Sequence, residues 1–206
     1  LMNVVDGTGA LSLTYDQLGK VAREDRTIVV PYDKQSYSFC MQYAYDSWGR
    51  LKNMVYPDSE QVKYAYQWGG NLDSVIGTKN NKSFNYIQSI WYDTLGQKDS
   101  VKYGNGFSVR YHYDKLHRLN HLICRDATGN PIQNIDYTFD PAGNITDIVD
   151  QGIMVNSMGG GYTNDYNYDP LNRLVVSGGT HYSSTLQYSS SGRLVMLSEE
   201  ANDATS

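Results

Sequence analysis

The sequence predicts an all-β protein, an antiparallel meander of repeated β-hairpins forming a curved strip or partial β-shell. Three observations predict the class. A seven-residue unit, Tyr45-Asp46-Ser47-Trp48-Gly49-Arg50-Leu51 in its full form, recurs in eight copies. Glycine and tyrosine each number 19 while charge is held to 19%, a balance that favours turns and strands over solvated helices. Around each copy, apolar and polar residues alternate with period two, and no stretch shows a capped helical period.

The copies begin at Tyr15, Tyr45, Tyr66, Tyr92, Tyr113, Phe139, Tyr168 and Tyr188. The second place holds Asp16, Asp46, Asp93, Asp114, Asp140 and Asp169, with Gln67 and Ser189 as exceptions. Aspartate there opens a type I turn by accepting from its own backbone two residues on. Pro141 and Pro170 occupy the third place, where that turn accepts proline. The fifth place holds Gly19, Gly49, Gly70, Gly96, Gly143 and Gly192, with His117 and Asn172 in the other two copies. Gly, Asn and His are the residues that tolerate a left-handed backbone, so the unit is a three-residue hairpin loop with a glycine bulge. The sixth place is always polar, and the seventh is aliphatic except at Lys98.

Copy starts lie 20 to 30 residues apart, a period that means stacked supersecondary units. Two places before each first aromatic stands Leu13, Tyr43, Tyr64, Ile90, Tyr111, Tyr137, Tyr166 or Leu186, and the residue between is small or polar apart from Trp91. One face is therefore apolar and buried, the other wet. Second turns fall between copies at Pro57-Asp58-Ser59-Glu60, Asn80-Asn81, Gly104-Asn105-Gly106, Asp126 to Asn130 and Gly178-Gly179. Each repeat then supplies about two strands, roughly fourteen to sixteen in all. The array spans 1–198, with a looser stretch at 150–165 ending in a glycine-rich loop and a frayed polar tail at 199–206. Opening at Leu1-Met2, the chain reads as a piece of a longer one.

The flanks and turns together match the YD repeats of the RHS family, which the chain resembles from about residue 13 to 197. The residues that carry the resemblance are YAYDSWGRL (43–51), YHYDKLHRL (111–119), YTFDPAGNI (137–145), YNYDPLNRL (166–174) and LQYSSSGRL (186–194). The resemblance implies a hairpin strip that spirals into a hollow shell. In bacterial polymorphic toxins and insecticidal toxin complexes such a shell encloses a C-terminal toxic domain; in teneurins a similar shell belongs to an adhesion receptor. The partners expected are other repeats of the same protein, an enclosed C-terminal effector and, on the adhesion reading, glycans. Secretion or display at a bacterial cell surface follows from the same resemblance. Residues 199–206 hold no toxin domain and no core segment that would plug a shell is found, so the chain reads as wall material.

Candidate chemistry is sparse, and no enzyme, cofactor or metal is expected. Asp140-Pro141-Ala142-Gly143 resembles the family's self-cleavage signature, but Phe139 and Ile145 keep it in the register of the sixth turn. His112, His117 and His121 lie close across one hairpin, yet their spacing matches no metal motif. The aspartates, one per tip and already used by the turn, are too sparse for calcium. Cys40 and Cys124 read as structural thiols. Net charge is −5, which excludes a broad nucleic-acid footprint, and no apolar run reaches the roughly 20 residues of a spanning helix. Trp91 interrupts the wet face and, with Trp48 and Trp68, is weighed between packing and a sugar platform.

Overall fold

The tight reversal at each repeat dictates the architecture. The structure, a computed structural model, describes residues 2–32, 34–153, 161–180 and 182–201. Among these there is no helix, and seventeen strands form an antiparallel meander. The described residues divide into two compact units, where the sequence reads as one undivided array. The first comprises the chain up to Trp91 with Lys102–Asn105; the second comprises Tyr92–Val101 and the chain from Gly106 on.

In the first unit the strands are β1 (Met2–Asp6), β2 (Gly9–Tyr15), β3 (Val21–Val29), β4 (Ser36–Tyr45), β5 (Leu51–Val55), β6 (Gln61–Tyr66), β7 (Leu72–Lys79) and β8 (Lys82–Tyr92). Each pairs antiparallel with the next. After β9 (Lys98–Tyr103) come the strands of the second unit: β10 (Ser108–Tyr113), β11 (Leu119–Arg125), β12 (Pro131–Phe139), β13 (Ile145–Asp150), β14 (Tyr162–Tyr168), β15 (Leu174–Gly179), β16 (Tyr182–Tyr188) and β17 (Leu194–Ala201). They too pair in chain order.

The strand count exceeds expectation partly because β1 and β2 form a hairpin that lacks the aromatic motif. Its turn is closed by Asp6 Oδ1, which accepts from Thr8 N at 2.8 Å and Thr8 Oγ1 at 2.6 Å. Asn80 and Asn81, at φ +50° and +60°, join β7 to the eleven-residue β8 by a two-residue loop. At the other end β17 continues to Ala201, with Glu199 and Glu200 opposite Ser184 and Ser183, beyond the boundary expected at 198. The glycine end of the looser stretch at 150–165 falls mostly outside the described residues.

Every repeat tip has the same backbone. In the copy at Tyr45, Asp46 N donates to Arg50 O at 2.9 Å and Gly49 N to Asp46 O at 2.9 Å. The fifth place is left-handed in all eight copies, including His117 at φ +62° and Asn172 at +58°. The ladder slips by one residue just before the motif aromatic, so that Tyr45 opposes Leu51 and Tyr113 opposes Leu119. The extra residue, Lys52 or Asn120, lies on the outgoing strand, while the aromatic keeps the alternation of the incoming one. Gly49→Val should destabilise by roughly 1–2 kcal/mol, because a β-branched side chain resists the left-handed region. Gly7, without positive φ and with open space around it, is the control: chemical denaturation should show Gly7→Val costing clearly less.

The apolar face is half-buried rather than buried. Val62, Val75, Ile90, Val101 and Ile135 are the apolar side chains that become buried among the described residues. The reason is geometric: within each unit the paired strands form a sheet whose aromatic rings pack mainly against neighbours on the same face. Each ring then gains only part of the roughly 1.5–3 kcal/mol of full burial.

Candidate functional site

The chemistry-bearing residues concentrate at the hairpin tips. Asp46 Oδ1 accepts two backbone N–H groups, from Trp48 at 2.9 Å and Arg50 at 2.9 Å. Its Oδ2 takes Arg50 Nε and Nη2, each at 2.7 Å. The same contacts recur in Asp114–Arg118 and Asp169–Arg173. In the sixth copy, Asn144 replaces arginine and gives Asp140 its backbone N at 2.9 Å and Nδ2 at 2.8 Å. Asp16 and Asp93 each bind two backbone N–H groups in the same way. The turn aspartate thus has more work than its neighbour two residues on: it also holds the sixth place.

These contacts favour the ionised carboxyl. Backbone donation from Arg50 and Arg118 lowers Asp46 and Asp114, and the side chains of Asn144 and Arg173 lower Asp140 and Asp169. Asp126, in a between-repeat turn of the same kind, is held at about 2 by the Thr128 hydroxyl, with Asn130 adding to it.

The sixth-place cation then reaches the next repeat. The Arg50 guanidinium lies 4.3 Å from the Tyr66 ring and 4.8 Å from Trp48. Arg118 lies 4.3 Å from Phe139, and Arg173 4.5 Å from Tyr188. Lys20 sits 5.1 Å from the Tyr45 ring and donates to Gly49 O at 2.8 Å. The aromatic in turn reaches back. Tyr45 Oη donates to Val21 O at 3.0 Å, Tyr66 to Leu51 O at 2.7 Å, and Tyr113 to Lys98 O at 2.9 Å. Tyr168 reaches Ile145 O and Tyr188 reaches Leu174 O, both at 2.9 Å. Each acceptor is the seventh place of the preceding copy. One ring therefore receives a cation on its face and ties two repeats by its hydroxyl. Tyr15, the first copy, is exposed and its hydroxyl approaches Met2 Sδ at 3.9 Å instead.

This stitch was not read from the sequence, although the preference for Tyr over Phe at the first place was its signal. Tyr66→Phe should lower stability by about 1 kcal/mol, the worth of one hydrogen bond, in urea unfolding. A change within error would show that the hydroxyl bond contributes nothing net.

Five of the eight tips also carry an outward, large apolar side chain at the fourth place. Leu18 and Trp48 in the first unit, and Leu95, Leu116 and Leu171 in the second, are 61–72% exposed. Trp91 is 49% exposed between Ile90 and Tyr92. Trp48 and the fully exposed Trp68 flank a cleft of about 200 Å³ with Arg50, Tyr66 and Gln67, and Trp91 does not line it. Cys40 and Cys124 are half-buried free thiols, and burial pushes the Cys124 thiol up, away from reactivity. Among the described residues no three His, Cys, Asp or Glu side chains converge as a metal site, and no helix is long and apolar enough to cross a membrane.

No family model matches the sequence. Toxin subunit YenC1 of Yersinia entomophaga is 28% identical over 152 residues, covering 69% of this chain and 15% of that protein. The solved complexes TcdB2-TccC3-TEV and TcdB2-TccC3-Cdc42 match with TM-scores of 0.82 and 0.80 over 97% and 96% of this chain, at 18% and 19% identity. A Photorhabdus luminescens Tc holotoxin pore matches at 0.79 over 96%, with 19% identity. In motif and in fold the chain is similar to the RHS/YD-repeat proteins. It spans 12% of each of the first two solved chains and 11% of the third. The YD motif and the shared fold cover nearly the whole chain. The Asp–Arg clasp and the tyrosine stitch are what this chain's own YD repeats make of them.

Proposed function

We propose that this chain is wall material of an RHS/YD-repeat shell, a non-catalytic stretch of strip that encloses or presents an effector domain of a secreted bacterial toxin. The observation that carries the reading is agreement of fold over 97% of the chain with a TcdB2-TccC3 complex, at a TM-score of 0.82. Likeness to a protein named as a toxin subunit supports it. The polar residues of the YD unit support it further, because the turn, the clasp and the stitch already engage them. A wall acts by steric confinement, and that requires stiffness more than a reactive group.

The test is cryo-electron microscopy of the full-length gene product with limited proteolysis. The expected result is a closed shell holding a protease-protected C-terminal polypeptide. An open strip, with its effector cleaved as fast as the detached domain, would overturn the proposal.

A second reading, a carbohydrate-binding or adhesion surface, draws on the exposure of Trp91 and on the cleft between Trp48 and Trp68. A glycan array with the wild-type chain and Trp91→Ala separates the two. Binding lost in the variant favours adhesion; no glycan bound favours the wall.

A further inference from the structure

Of the three histidines grouped by sequence, two face each other across the strands, and the third shares a cleft with one of them. His117 sits at a left-handed hairpin tip. His112 on β10 and His121 on β11 are directly opposed across the Tyr113 hairpin, with ring centroids 5.4 Å apart and planes at 40°. His121 in turn opposes Asp136 on β12, and its Nδ1 lies 2.7 Å from Asp136 Oδ1. Gln151 Nε2 donates to the other carboxylate oxygen at 3.4 Å.

We propose that His112 and His121 form a two-histidine chelate for a late first-row divalent ion. An ionised carboxylate accepts only, so Asp136 fixes the proton of His121 on Nδ1 and leaves Nε2 as the free ligand. Carboxylate support of this kind orients a ligating imidazole and raises its basicity. His112 is exposed on the same face and has no hydrogen-bond partner among the described residues, so its ring is free to rotate. Opposed cross-strand side chains leave Cβ atoms about 4.5–5.5 Å apart, which lets both rings reach one ion at about 2.0–2.1 Å. Two protein ligands leave the other positions to water. Imidazole suits copper, nickel and zinc, and the intrinsic order of affinity puts Cu²⁺ above Ni²⁺ and Zn²⁺. An ion there ties β10 to β11 and, through Asp136, to β12.

The test is calorimetric titration of the whole chain with CuCl₂, NiCl₂ and ZnCl₂ at neutral pH in a non-coordinating buffer. One equivalent should bind, Cu²⁺ tightest, with two imidazole nitrogens in the electron paramagnetic resonance spectrum of the copper form. His112→Ala and His121→Ala should each abolish saturable binding, and Asp136→Asn should weaken it by about tenfold to a hundredfold. His117→Ala should bind as wild type. Absence of saturable binding for all three ions, or a copper site that survives in the His112→Ala/His121→Ala double variant, would overturn the proposal.

Discussion

Asp150→Ala is expected to destabilise the second unit by about 3 kcal/mol, because it strands two backbone donors at 1–3 kcal/mol each. Asp150 is 3% exposed and, with Ser177, one of two polar residues buried among the described residues. Its Oδ1 accepts Asn134 N at 2.8 Å and Gly152 N at 2.8 Å. Those bonds fasten the end of β13 to β12 where the chain leaves the ladder, alongside Gln151 N to Asn134 O at 2.8 Å and Ile153 N to Pro131 O at 2.9 Å. A carboxylate taken from water is costly unless its oxygens are satisfied, and two peptide donors do that here. Asp150→Asn keeps an acceptor oxygen in place, so its loss should be about half that of alanine or less. Urea unfolding of both variants checks the order. Equal losses would mean that charge rather than acceptor geometry holds the site; no loss in either would mean that water replaces the carboxylate freely.

What the sequence disclosed and what it hid follow from the range of each interaction. The tips were legible because a left-handed residue is a local constraint: His117 and Asn172 announce it as clearly as glycine does. The alternation of Tyr43, Ala44 and Tyr45 disclosed the two faces for the same reason. Asp150 was hidden, since its donors at 134 and 152 meet it only after β12 and β13 have paired. The tyrosine stitch was hidden too, because repeats of unequal length still bring the first place of one copy to the seventh of the copy before it. The fourth-place residues were visible but easily misread. Leucine and tryptophan normally signal a core, yet Leu116 and Trp48 stand at tips where no neighbouring strand covers them. The opposition of His112 and His121 follows from the Tyr113 bulge, and placing that bulge from the motif alone would have found it.

Acid should unfold this protein through its turns. Asp46, Asp114, Asp140 and Asp169 are all held below the usual carboxylate range, and Asp126 is held at about 2. Asp6 and Asp58, in other turns, are lowered by the Thr8 hydroxyl and by Lys79. A carboxyl depressed in the folded state stabilises that state above its unfolded pKa, about 3.9, and loses the contribution as pH falls through the folded value. The expected profile is a thermal midpoint that is flat on the neutral side of about pH 5 and falls steeply toward about pH 2. Asp6 and Asp58 are exposed and the others half-buried, and each pair is individually weak. The effect is large because the groups occupy successive hairpin turns: protonation releases the backbone donors at each and, at Asp46, Asp114 and Asp169, also the arginine stacked on the next repeat. Salt separates the two parts. Screening at high ionic strength weakens the arginine contribution, whereas the backbone bonds to Oδ1 persist. The fall should therefore survive high salt in reduced form, and Asp126→Asn, which involves no arginine clasp, should flatten its most acidic portion. A thermal midpoint unchanged between pH 7 and pH 3 would remove the turn carboxylates from any energetic role and leave backbone geometry alone to account for the repeated tip.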